Sequence, residues 1–200
     1  MKYSNGLRYP LYFPQYISGY EKVKMFTTNQ TNMTEMEPLT NKRIVIFGAT
    51  GDLCRRKLIP ALYQLWCKHL LPKNLLIVGA SRREIERQTW IDSLGEYAEE
   101  FTHWLDFVSC DLGCKESLMK LHDKSADTTY FLSVPPERYE NAIINLKEAG
   151  FLDDPEVSRV VIEKPFGHDL ESANHLQSVV GRYLREKQVY RIDHYLGKDT

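Results

Sequence analysis

The segment Ile44-Val45-Ile46-Phe47-Gly48-Ala49-Thr50-Gly51 constrains this chain more than any other. Three β-branched residues and an aromatic in succession favour a short strand, and the glycines after them permit a tight turn. Pro60 then stands early in a run whose Ala61, Leu62, Leu65, Trp66 and Leu70 recur at helical spacing before Pro72 stops it. A first helical turn near 52–57 is therefore expected to lead into a longer helix from Pro60.

The alternation repeats along the chain. Strands are expected at 75–78, 105–108, 128–133, 159–163 and 188–192, with helices at 84–101, 116–124, 137–149 and 170–185 between them. Strands alternating with helices, the first of them apolar on both faces, imply a parallel sheet covered on both sides and wound right-handedly. The expected fold is a doubly wound, Rossmann-type α/β domain with helices on both faces, spanning residues 41–200. Residues 1–40 are rich in Tyr, Asn, Thr and Met, carry three prolines and lack periodicity, and are expected to form a disordered extension.

Charge narrows the function classes. The chain carries 26 basic and 27 acidic residues, so no global field draws it to nucleic acid or to an anionic membrane surface. No apolar run approaches the roughly 18 residues of a membrane span, and a cytoplasmic chain is expected. Cys54, Cys67, Cys110 and Cys114 are expected to be free thiols. Their spacing to His103 and His122 matches no common zinc pattern, so no metal is expected.

In a doubly wound sheet, ligands bind beyond the carboxyl ends of the strands, where Gly48 and Gly51 would let backbone approach a diphosphate at a helix start. The third glycine position of a dinucleotide fingerprint is held by Cys54, so a merely structural strand-to-helix turn is the competing reading. After the second strand Arg82 and Arg83 stand where a carboxylate would bind a ribose 2'-hydroxyl; guanidinium there suits a 2'-phosphate, and so NADP over NAD. Pro135 and Pro136 form a rigid, donor-free turn after the fourth strand, and Lys164 ends the fifth. The phrase Asp193-His194-Tyr195-Leu196-Gly197-Lys198 brings together groups that suit an anion and a proton. Tyr183 and Lys187 have the spacing used by short-chain dehydrogenases, but a solvated helix face is the better reading of them.

Taken together, Gly48 to Leu53, Lys57, the turn Glu163-Lys164-Pro165-Phe166-Gly167 and the stretch from Arg191 to Lys198 resemble the glucose-6-phosphate dehydrogenase family. The resemblance runs from about Arg43 to Thr200 and covers that family's N-terminal coenzyme domain, without its second, α+β domain. It implies that Gly48, Ala49, Thr50, Gly51, Asp52, Leu53, Cys54 and Arg55 form the diphosphate loop and that Arg82 holds the 2'-phosphate of NADP. It further implies that Asp111 and Leu112 lie beside the adenosine, Pro135 and Tyr139 near the nicotinamide, and Lys57 in the same cleft. Lys164 would meet both cofactor and sugar, while His194, Tyr195 and Lys198 would bind the phosphate of glucose 6-phosphate. Asp193 would orient a general-base histidine that none of the six histidines here supplies. The 200 residues are accordingly expected to be catalytically silent, and a full-length relative to assemble as a homo-oligomer through its second domain. A non-catalytic NADP-binding regulatory module is the alternative from a different class, and a short-chain dehydrogenase using Tyr183 and Lys187 a third.

Overall fold

The computed structural model describes residues 42–124, 126–164, 166–167 and 169–193. Its centre is strand β1 (Lys42–Phe47), which pairs in parallel with β2 (Leu75–Ser81) on one side and β4 (Asp127–Leu132) on the other. Strand β3 (Leu105–Ser109) extends the sheet beyond β2, while β5 (Ser158–Glu163) and β6 (Val189–Ile192) extend it beyond β4. The resulting order, β3-β2-β1-β4-β5-β6, is that of the doubly wound dinucleotide-binding fold, with its switch point between β1 and β4.

The period-2 alternation of β1 separates two cores. Val45 and Phe47 point to the face that also buries Tyr130, Leu132, Ile143 and Val160, whereas Ile46 joins Ile77, Trp90, Phe101 and Leu105 on the other. Helices α1 (Ile59–Cys67), α2 (Arg87–Leu94) and α3 (Glu99–Thr102) cover the second face. Helices α4 (Lys115–Leu118), α5 (Tyr139–Glu148) and α6 (Leu170–Tyr183) cover the first. No described helix is long and apolar enough to cross a membrane.

Three helical expectations change. The short turn at 52–57 and the helix from Pro60 are one continuous helical stretch, joined by a π-helical turn over Cys54–Leu58. Pro60 has no N–H and its ring would crowd the carbonyl of Arg56 in a regular helix; a widened turn, in which the Ile59 N–H reaches back to Cys54, relieves both. The single helix expected at 84–101 is two, because Gly95, with φ 118°, turns the chain between α2 and α3. The helix expected at 116–124 is only α4 and one 3-10 turn (Met119–Leu121), which ends where His122 and Asp123 take φ of 48° and 32°.

That early stop has a tertiary cause. Arg43, on β1 and only 7% exposed, donates through its guanidinium to the carbonyls of Leu121 (2.8 Å) and Asp123 (2.8 Å) and to the Thr128 hydroxyl (3.3 Å). A buried guanidinium must be surrounded by acceptors, and the carbonyls at a helix end are acceptors without partners of their own. Arg43→Ala should lower the free energy of unfolding by about 2–4 kcal/mol, because it strips the buried Leu121 carbonyl and the Thr128 hydroxyl of a charged donor. Urea titration checks this, and a loss under about 0.5 kcal/mol, the level of an ordinary surface change, would contradict it.

Candidate functional site

A cleft of about 290 Å³ opens at the carboxyl ends of β1, β2, β3 and β4, lined by Phe47, Gly48, Thr50 and Gly51, by Ala80 to Arg83, Cys110 to Leu112 and Ser133 to Pro135, and by Arg138, whereas Ala49 is buried in the core beneath the turn. Its floor is the turn after β1. The N–H groups of Gly48 and Ala49 both donate to the Ala80 carbonyl, at 3.0 and 3.2 Å, and the Gly51 N–H closes the turn on the Gly48 carbonyl at 2.8 Å. Gly48 has φ 80°, and a Cβ there would lie 2.0 Å from the Ser133 carbonyl oxygen, so only glycine fits between β1 and β4.

A second close approach supports the turn from beneath. The Trp90 indole lies against Gly79 in β2, where a Cβ would fall 2.5 Å from the ring, and its Nε1–H donates to the Ala49 carbonyl at 3.0 Å. Thr50 and Ser81 hydroxyls meet at 3.3 Å, and Ser81 also accepts the Arg83 N–H at 3.0 Å. The Ser109 hydroxyl then donates to the Arg83 carbonyl at 2.9 Å, so the ends of β1, β2 and β3 are tied together.

The arginines after β2 are exposed, line the cleft, and have guanidinium groups without an ion pair among the described residues. Asp111 is occupied in its own turn, accepting the Gly113 N–H at 2.9 Å, while the Leu112 carbonyl accepts from Asn145 Nδ2 at 3.1 Å. Asp52, Leu53, Cys54, Arg55 and Lys57 do not line the cleft. Arg55 and Arg56 reach Asp52 at 3.3 and 3.4 Å on the exposed side of the helix, and the Cys54 side chain is fully buried against Ala49 and Ile59. Lys57 is exposed.

Further along the same sheet edge, Lys164 and Asp193 meet. Parallel pairing of β5 with β6 brings their ends level, the Lys164 N–H donates to the Ile192 carbonyl at 3.0 Å, and its ammonium lies 3.3 Å from Asp193 Oδ2. Tyr139 is buried, and its hydroxyl donates to the Glu163 carbonyl at 3.3 Å, fixing the residue before Lys164. Burial pushes the Tyr139 phenol above its ordinary pKa, which keeps it a donor. His194, Tyr195 and Lys198 lie outside the described residues. Tyr183 is the last residue of α6 and packs on the core, whereas Lys187 follows in a separate 3-10 turn paired with Glu156, so the two do not share a helix face. Among the described residues no group of three or more His, Cys, Asp or Glu could hold a metal ion.

Sequence reasoning passed over Arg138, which lines the cleft at the start of α5. The available signal was a cation at the positive end of a helix dipole, where it is poorly placed for stability.

Comparison with known proteins agrees with this architecture. Residues 45–200 match the family model described as glucose-6-phosphate dehydrogenase, NAD binding domain. The glucose-6-phosphate 1-dehydrogenase of Borreliella burgdorferi is 38% identical over 81% of the chain, and that of Schizosaccharomyces pombe is 35% identical over 80%. The chain spans 36% of the length of each of these relatives. Among solved structures, the enzyme from Mycobacterium avium superposes with a TM-score of 0.68 at 32% identity, covering 79% of this chain and 37% of that one. A glucose-6-phosphate dehydrogenase in complex with its substrate glucose-6-phosphate gives 0.70 at 29% identity, covering 80% and 38%.

Two outcomes follow from the geometry around the turn. Gly79→Ala should drive the Trp90 ring from its place under Ala49, costing about 1–3 kcal/mol and shifting tryptophan emission; an unchanged spectrum and stability would show that the ring moves freely. Burial also pushes the Cys54 thiol up to about 12 and the Cys110 thiol to about 11, from an ordinary 9.0. Because these folded values lie above the unfolded one, the neutral thiols contribute stability that is complete below pH 9 and declines as pH rises toward 11 and 12. The decline should reach about 1.4 kcal/mol per pH unit for each thiol at its steepest. Urea titrations from pH 8 upward should be shallower in a Cys54→Ala, Cys110→Ala double variant; an equally steep profile would place the alkaline loss elsewhere.

Proposed function

Because the chain belongs to the glucose-6-phosphate dehydrogenase family, through that family's NAD-binding domain, we propose that it is the coenzyme domain of an oxidoreductase that converts D-glucose 6-phosphate to 6-phospho-D-glucono-1,5-lactone, with NADP as hydride acceptor. This is an entry step of the oxidative pentose phosphate pathway. The observation that carries the reading is a juxtaposition on one sheet edge: a guanidinium-lined cleft over a glycine turn, and the Lys164–Asp193 pair at the ends of β5 and β6.

The residues present fit the cofactor. The glycine turn brings bare backbone to the cleft floor, with Gly48 and Gly51 carrying no side chain between it and a diphosphate, and the Arg82 and Arg83 guanidinium groups suit a dianion where a carboxylate would otherwise bind a free ribose hydroxyl. When bound, the dinucleotide would supply the hydride-accepting ring. Arg82 would hold the 2'-phosphate, Asp111 and Leu112 would border the adenosine, and Pro135 would wall the passage toward the nicotinamide end. Tyr139 supports that end through the Glu163 carbonyl rather than through an exposed hydroxyl. Lys164 would donate to substrate and cofactor, held in reach by Asp193. His194, Tyr195 and Lys198 would take the sugar phosphate. Asp193 is suited to orient an imidazole general base, and none of the chain's own histidines is assigned that role.

Isothermal titration of the 200-residue chain tests the cofactor assignment. NADP should bind at least about tenfold more tightly than NAD, and Arg82→Ala should remove most of that preference; equal affinities would overturn it. With glucose 6-phosphate and NADP together, the same chain should form no NADPH, and clear turnover would sink the claim that the base histidine is not among its residues.

A further inference from the structure

Arg138 stands at the N-terminal boundary of α5 with φ −96° and ψ −9°, its N–H donating to the Pro135 carbonyl at 2.9 Å. A cation at that end of a ten-residue helix opposes the helix dipole. No ion pair among the described residues offsets it, and the side chain is exposed on the cleft wall. A charge that weakens its own helix and lines a cavity is explained by an anion in that cavity.

The position of Arg138 indicates which anion. Arg82 and Arg83 follow β2 and lead toward α2, on the face buried with Trp90; Arg138 opens α5, on the face buried with Leu112, Tyr139 and Ile143. The cleft is therefore approached by guanidinium groups from both faces of the sheet, with Asp111 the one carboxylate among its lining residues. The end of β4 that leads to Arg138 is pressed against the glycine turn: the Ser133 N–H donates to the Phe47 carbonyl at 3.1 Å, and the Ser133 carbonyl fills the space a Gly48 Cβ would need. Arg55 and Arg56, which follow the turn directly, are engaged with Asp52 outside the cleft.

Building on the cofactor reading above, we infer that Arg138 is the cation for the diphosphate of the bound dinucleotide, acting above the glycine turn, whose Gly48, Ala49 and Gly51 N–H groups are spent on backbone carbonyls, while Arg82 and Arg83 serve the 2'-phosphate. A diphosphate is common to NADP and NAD, so this residue sets affinity for both and selectivity for neither.

Calorimetric titration of the 200-residue chain at low ionic strength, with NADP and NAD as the two probes, distinguishes the possibilities. Arg138→Ala should raise Kd for both dinucleotides by about tenfold, and Arg138→Lys should restore part of the loss. The melting temperature of the free Arg138→Ala chain should be unchanged or higher, since a cation leaves the positive end of α5, and a purely structural residue would not produce that combination. A loss confined to NADP would overturn the assignment in favour of the 2'-phosphate. Unchanged affinities would reduce Arg138 to an exposed helix-start residue, and a fall in melting temperature matching the affinity loss would make its role structural. If the unaltered chain bound neither dinucleotide, the cofactor reading itself would fail; binding that ignored position 138 would sink only the assignment of Arg138.

Discussion

The Ala80 carbonyl is the point on which this molecule turns. It accepts from both Gly48 and Ala49, so the chain leaving β1 is bent sharply over the end of β2 instead of continuing as strand. The same bend lays Gly48 against Ser133 at the end of β4, closing the gap between the two neighbours of the central strand. Trp90 completes the support by filling the space left by a missing side chain at Gly79 and by donating to Ala49. Four elements thus converge to hold the backbone of this turn at contact distance.

Charge is managed differently at the two ends of the strands. At the amino ends, cations find partners: Arg43 is wrapped in carbonyls, and Lys42 and Arg159 both pair with Asp127. At the carboxyl ends of β2 and β4, the guanidinium groups of Arg82, Arg83 and Arg138 face a cleft without ion pairs among the described residues. Surface ion pairs contribute little, so the contrast matters less for stability than for what the open end attracts. Lys164 on the same edge is paired, and its partner Asp193 holds it level with the end of β6.

Most of the fold was legible in the chain because short β-branched runs alternate with apolar residues at helical spacing, and such an alternation builds a parallel sheet with helices on its faces. The misread helices show where local pattern fails. Trp90, Ile91, Leu94 and Phe101 keep a helical rhythm across Gly95, since residues on either side of a break can still face one core. Likewise Leu118 and Leu121 suggest a longer helix, which ends early because Arg43, distant in sequence, claims the carbonyls that follow. In the site, Gly48, Gly51, Arg82, Asp111, Leu112 and Pro135 were legible and line one cleft, whereas Arg138 was passed over beside the more conspicuous prolines.

The sequence by itself determined the parallel, doubly wound order of elements and the glycine turn after β1, because both follow from periodicity and from the φ that only glycine adopts freely. Tertiary structure alone decided that Cys54 turns into the core, that Tyr139 braces β5 from a buried position, and that arginines from opposite faces of the sheet meet at one cleft. Such facts depend on which side of the sheet each helix packs against. That is set by burial summed over the whole domain, and no local stretch of sequence carries it.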